Sequence, residues 1–214
     1  MEIKIGYYEI DKNYGYYLDK APQNVLNELG KEISYLQNNF NEGKKFNDML
    51  AGEIEHEYAL PLQDQTYDYI KDLTYRFETE SGFGTSIYET LSSLTIDTLW
   101  VNFQKKHEYN PPHIHSGIYS IVIWYKIPYF IKDEEKYNYK TSQSCNHGRF
   151  AFLYPTPQNF RTPIQLKALD IDKTKEGYVA IFPSNLNHMV YPFYSSNEYR
   201  ITISGNVRLS NNKK

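Results

Sequence analysis

The chain has 214 residues, enough for one domain with a sizeable core. Its formal net charge of −3, from 23 basic and 26 acidic residues, gives no pull toward nucleic acid or anionic membranes. A single cysteine, Cys145, excludes an internal disulfide framework and fits a reducing compartment. No apolar run of about eighteen residues reads as a membrane span, and Met1 to Asp11 mixes Glu, Lys and Tyr where a leader would be apolar. A cytoplasmic location is therefore expected. Tyrosine, at 22 residues, favours half-buried pleated surfaces and so strand structure.

In chain order, residues 2–10 alternate weakly and predict a short strand. Ala21-Pro22 opens a helix in which Val25, Leu26, Leu29, Ile33, Leu36 and Phe40 recur at helical spacing, with Glu42-Gly43 as its end. Residues 44–62 show no regular period. A second helix is expected over 67–80, with Tyr69, Ile70, Leu73 and Phe77 on one face and a break at Ser81-Gly82-Phe83-Gly84. From residue 94 the character changes. Short β-rich segments at 96–103, 118–127, 150–154, 164–169, 178–182 and 199–207 are divided by turn residues. Helices first and strands after predict helices packed on a sandwich or barrel of mainly antiparallel strands. With no repeat and no linker, the reading is a single domain over 1–214, with a helical support region at 1–93 and a β core at 94–208. The polar stretch 132–148 predicts either a solvated loop or a mobile lid over a site.

The residues that carry chemistry lie in two distant segments. Asn110-Pro111-Pro112-His113-Ile114-His115-Ser116-Gly117 sits on strand-like sequence, where side chains two apart share a face. On a helix, His113 and His115 would stand about 200° apart and could not share an ion. A third imidazole from a later strand would complete a metal site with open positions, and His188 follows a buried strand stopped by Pro183. In the last strand, Arg200, Thr202, Ser204 and Asn206 form one face, and Ile201, Ile203 and Val207 the other. A buried arginine needs an anion. Glu198 would serve structurally, and a dicarboxylate ligand held bidentately would serve functionally. Of the other histidines, His56 between two glutamates reads as solvated, His107 as an approach to the site, and His147 as surface. Cys145 is lone and does not read as a catalytic thiol.

The stretch 100–206 resembles the Fe(II)- and 2-oxoglutarate-dependent oxygenases, and most of all a small branch related to prolyl hydroxylases. The matching pieces are Trp100-Val101-Asn102, the His113-Ile114-His115 block, Ser120 to Pro128, Gly148 to Pro155 and Gly177 to Val207. The resemblance implies a double-stranded β-helix (jelly-roll) barrel, making the chain mainly β with N-terminal helices. It implies Fe(II), 2-oxoglutarate and O2 as cofactor and cosubstrates. His113 and His188 would be metal ligands with His115 as the third, and Arg200 would grip the far carboxylate of 2-oxoglutarate. Thr202, Ser204, Tyr125 and Asn102 would complete the cosubstrate pocket, with Tyr109 near it. The implied activity hydroxylates a prolyl-like protein side chain or a small metabolite while 2-oxoglutarate is converted to succinate.

One departure stands out. Most such oxygenases carry Asp or Glu where this chain has His115. Imidazole leaves the metal charge at +2, which a dianionic cosubstrate would neutralise, and three imidazoles with an open position suit zinc as well as iron. Two other readings stay open on the residues. One is a cupin-like metal barrel that binds a small acid or sugar, and the other is an interaction module built on tyrosine. Arg200 separates the first from an oxygenase, and metal analysis separates the second. The partner would be a peptide, a protein or a small molecule. Duplex nucleic acid is disfavoured by the acidic balance, and no membrane partner is expected.

Overall fold

Side-chain alternation along the central strands divides the interior into two cores, one on each face of a large sheet. The computed structural model describes residues 4–11, 14–83, 94–138, 145–155 and 164–210. Its elements in chain order are β1 (Gly6–Asp11), β2 (Tyr14–Lys20), α1 (Gln23–Asn38), β3 (His56–Leu60), α2 (Asp64–Ser81), β4 (Leu94–Gln104), β5 (Asn110–His113) and β6 (Tyr119–Lys126). They continue with α3 (Ile131–Glu134), β7 (Phe150–Pro155), β8 (Ile164–Leu169), β9 (Tyr178–Pro183), β10 (Asn187–Val190) and β11 (Arg200–Leu209). Seven strands pair in the order β1-β2-β9-β6-β11-β4-β3, and four in the order β5-β10-β7-β8. All neighbours run antiparallel. The architecture is the expected one, mainly β with helices backing a jelly-roll of two antiparallel sheets.

On the outer face of the large sheet, Leu99, Val101 and Phe103 of β4, Ile121 and Ile123 of β6, and Ile201 and Ile203 of β11 are buried beneath the helices. Helix α1 brings Val25, Leu29 and Ile33 to this core, and α2 brings Ile70, Leu73 and Phe77. On the inner face, Tyr16 and Leu18 of β2, Val122 and Trp124 of β6, and Phe182 of β9 meet Phe150 and Phe152 of the small sheet. A period of two therefore feeds both cores from β2, β6 and β9, while β4 and β11 turn a polar row inward. Tyr69 and Arg76 of α2 both reach Asp19 of β2, at 3.0 and 2.6 Å, and fix that helix to the sheet.

Helix α1 ends at Asn38, before the expected Glu42-Gly43. Asn38 and Asn39 turn their side chains back onto the carbonyls of Ser34 and Tyr35, which competes with continuing the helix. Helix α2 stops where expected, at Gly82, whose φ of +62° and N–H bond to the Glu78 carbonyl form a left-handed cap. Gly84, the last residue of that expected break, lies outside the described residues, as do residues 2 and 3 of the first expected strand.

Three differences from the sequence reading matter. The region 1–93, expected as helical support with one short strand, also contains β2 and β3, and all three strands extend the large sheet. The stretch 44–62, read as irregular, contains β3. The segment 132–148 does not begin as a solvated loop: Ile131–Glu134 is a helical turn, and buried Glu134 accepts the backbone N–H groups of Tyr194 and Ser195 at 2.7 and 2.9 Å. Residues 139–144 of that expected loop lie outside the described residues.

Candidate metal centre and acid-binding pocket

Strand pairing decides which imidazoles meet. β5 and β10 are antiparallel neighbours, and His113 stands directly opposite His188. Two residues on, His115 is held by its backbone N–H to the Ser184 carbonyl at 2.9 Å, and its ring returns to the same face. The ring centroids lie 4.3 Å apart for His113 and His188, 4.9 Å for His113 and His115, and 5.0 Å for His115 and His188. One nitrogen from each ring falls within 4.8 Å of the others. His113 Nδ1 donates to the Pro111 carbonyl at 2.7 Å, and His188 Nδ1 donates to the Leu186 carbonyl at 3.0 Å. Both bonds fix the tautomer that leaves Nε2 with a free lone pair, as a metal-ligating histidine requires.

The electrostatics agree. Burial lowers the His188 pKa well below the ordinary histidine value, with His113 and His115 adding to the effect. Burial, then the neighbouring His113, lowers His115 to about 4. His113 is lowered by burial as well, against the opposing bond to Pro111. Three neutral imidazoles are thus presented together at ordinary pH, which is the ligand form. Their chemistry fits a divalent transition metal.

The three rings line a pocket that runs between the sheets to Arg200. Asn102 and Gln104 of β4 and Thr202 and Ser204 of β11 form a polar wall, and Trp124, Phe150 and Phe182 form an apolar one. Asn102 donates to Thr202 Oγ1 at 3.1 Å, across directly paired positions. Arg200 is 3% exposed. Its Nε donates to Gln104 Oε1 at 3.0 Å, and its Nη2 donates to the same oxygen. Nη1 donates to the Tyr129 hydroxyl at 2.6 Å and to the Gly148 carbonyl at 3.1 Å. Every one of these partners is neutral. Glu198, the structural partner open in the sequence, is exposed and pairs instead with Lys126 at 2.6 Å. Among the described residues Arg200 makes no salt bridge. A buried cation surrounded by neutral acceptors fits an acid ligand.

The fold thus brings together His113, His115, His188, Arg200, Asn102, Thr202 and Ser204. It does not bring Tyr125. That side chain is on the outer face of β6, where a β-carbon built on Gly30 of α1 would lie 2.5 Å from its hydroxyl. Counting odd positions onward from His113 fails because the chain leaves the small sheet after β5, turns at Gly117 with φ +109°, and enters the large sheet at β6. Tyr109 is 39% exposed, and its backbone bridges Glu53 outside the pocket. His56 is not solvated, since its ring stacks on Phe40 at 4.2 Å. His107 is exposed with φ +73°, and its ring, like that of His147, packs on Tyr194. Gln104 and Trp124 were missed by the sequence reading. Alternation would have found Gln104, two positions from Asn102 on the same strand.

A family model described as "Putative 2OG-Fe(II) oxygenase" matches residues 98–206, which hold all three imidazoles and Arg200. The chain belongs to this family. It is therefore an oxygenase of the class that uses Fe(II), 2-oxoglutarate and O2. Among solved structures it is similar to a Pseudomonas putida prolyl-4-hydroxylase, with a TM-score of 0.57 and 12% identity over 91% of this chain and 93% of that one. A viral collagen prolyl hydroxylase from Paramecium bursaria Chlorella virus-1, in complex with 2OG, matches with a TM-score of 0.50 and 13% identity over 91% and 96%. A Trichoplax adhaerens prolyl hydroxylase, in complex with a hypoxia inducible factor oxygen degradation domain peptide fragment, gives a TM-score of 0.50 and 12% identity over 92% and 84%. At these identities the likeness is one of fold. No curated protein matches the chain.

Proposed function

We propose that this oxygenase hydroxylates a prolyl-like side chain of a peptide or protein, or a small metabolite of similar shape. Overall, R–H, O2 and 2-oxoglutarate would give R–OH, CO2 and succinate. The observation that carries this reading is the placement of three neutral imidazoles and an anion-seeking arginine in one pocket. His113, His188 and His115 would hold Fe(II). When bound, the metal would supply the site at which O2 is reduced while the 2-oxo acid is oxidised.

The chain's own residues would do the rest. Arg200 would anchor the distal carboxylate, and Thr202, Ser204 and Asn102 would add hydrogen bonds along the cosubstrate. Trp124, Phe150 and Phe182 would keep water from the reacting centre and strengthen each polar contact inside it. The Nδ1 bonds to Pro111 and Leu186 would hold two rings in position without a carboxylate behind them. A peptide substrate is favoured because one of the similar structures is named a collagen prolyl hydroxylase and another is a prolyl hydroxylase in complex with a peptide fragment.

The test is anaerobic titration of Fe(II) with 2-oxoglutarate, followed by succinate release under O2. A weak visible charge-transfer band and stoichiometric succinate are expected. Retention of iron by a His113→Ala, His188→Ala double variant would remove the metal assignment. His115→Ala should weaken metal binding and His115→Asp should keep it, whereas indifference to both changes would take His115 out of the ligand set.

A further inference from the structure

We propose that Gln104 guards the seat of the cosubstrate's distal carboxylate: its side-chain oxygen holds the Nε/Nη2 edge of Arg200 and yields that edge when the carboxylate enters. This rests on the reading of Arg200 as the acid anchor. Gln104 and Arg200 are directly paired on β4 and β11 and face the same pocket. Both are 3% exposed. One glutamine oxygen accepts from both Nε and Nη2, the two donors a carboxylate takes when it binds an arginine edge-on.

The remaining donors are committed elsewhere. Nη1 serves the Tyr129 hydroxyl and the Gly148 carbonyl, and Nη2 also reaches the Tyr191 carbonyl at 3.4 Å. These acceptors cannot easily move. Tyr129 is buried and donates to the Gly148 carbonyl at 2.6 Å, Gly148 is tied by its N–H to Pro192, and the others are backbone. Among the described acceptors of Arg200, Gln104 is the one on a side chain that also lines the pocket. Among the described residues its far end is held by one bond, from Nε2 to the Glu108 carbonyl at 2.5 Å. The bonds from Arg200 to Gln104 are assisted by one charge only, and a carboxylate brings the opposite charge to the same two donors, so in a buried site its Coulomb attraction wins the exchange. The incoming acid also neutralises a buried charge, which the amide cannot do.

The test is calorimetric titration of 2-oxoglutarate into the full chain loaded with Mn(II) under nitrogen, with the melting temperature of every variant measured alongside. Gln104→Glu gives Arg200 a permanent internal carboxylate. It should lower 2-oxoglutarate affinity by about tenfold or more, the scale of one charge-assisted bond, and raise the melting temperature. Gln104→Ala removes the competitor and should bind 2-oxoglutarate at least as tightly as the parent chain. Loss of affinity in Gln104→Ala, or parental affinity in Gln104→Glu, overturns the proposal. Arg200→Ala separates the two levels. If it binds 2-oxoglutarate normally, the anchor itself is wrong and Gln104 guards nothing. If it binds weakly while Gln104→Glu binds normally, only the guarding role is lost.

Discussion

Arg200 and Glu57 are two of the buried ionisable residues, and their surroundings act on them oppositely. Arg200 is buried with only neutral partners among the described residues, so its position is sensible only with an anion beside it. Arg200→Ala should weaken 2-oxoglutarate binding by about tenfold or more. Arg200→Lys should recover only part, because an ammonium lacks the planar fork. Calorimetry on both variants checks this, and since Glu198 already pairs with Lys126, neither change should free it. Glu57 on β3 is fully buried, and burial, with Glu108 adding to it, raises its pKa to about 8. Among the described residues its Oε1 has no hydrogen-bond partner, and a β-carbon built on Gly52 would lie near both that oxygen and Asn110 Oδ1. An acid whose folded pKa is raised contributes most below its unfolded pKa, and stability is lost as pH rises from about 4.5 to about 8. Glu57→Gln should therefore stabilise by a few kcal/mol at pH 8 and change little at pH 4. Urea melts at the two pH values would show it, and equal effects at both would contradict the account.

Among the elements, the β4–β11 ladder is the one on which the site depends. It sets Gln104 opposite Arg200, Asn102 opposite Thr202 and Trp100 opposite Ser204. At Gly205 the strands approach so closely that a β-carbon would lie 2.8 Å from the Thr98 carbonyl and 2.6 Å from Leu99 Cδ2. Gly205→Ala should cost about 1–3 kcal/mol through overpacking. It should also weaken 2-oxoglutarate binding if the ladder shifts as far as Thr202. Denaturant unfolding and the same calorimetry would separate the two effects. The ladder was half legible in the sequence. The alternation of Arg200, Thr202 and Ser204 against Ile201 and Ile203 gave its two faces, since a strand's period is a local property of the backbone. Its neighbours were not legible, because pairing joins segments far apart in the chain.

For the whole molecule, three imidazoles whose folded pKa values are lowered make the apoprotein acid-sensitive. Each is neutral when folded and takes a proton when unfolded below the ordinary histidine value near 6.5, so stability is lost as pH falls from there toward about 4, the value for His115. A bound metal should oppose this, because it binds only the folded site. At a hundredfold excess over Kd it should add about 2.7 kcal/mol, reversed by a chelator. Melting temperatures with and without Mn(II) at pH 7 and at pH 5.5 measure both trends, and metal-independent melting would contradict the site. The sequence by itself determined the two long helices and most of the strands after them, the shared facing of His113 and His115, and the polar row that begins at Arg200. Each of these follows from periodicity within one segment. Only the tertiary structure decided that His188 stands opposite His113, that Arg200 pairs with Gln104 and not Glu198, that Tyr125 faces helix α1, and that three early strands join the large sheet. Those outcomes depend on which strands become neighbours and on where the chain crosses between sheets, and no local period carries that information.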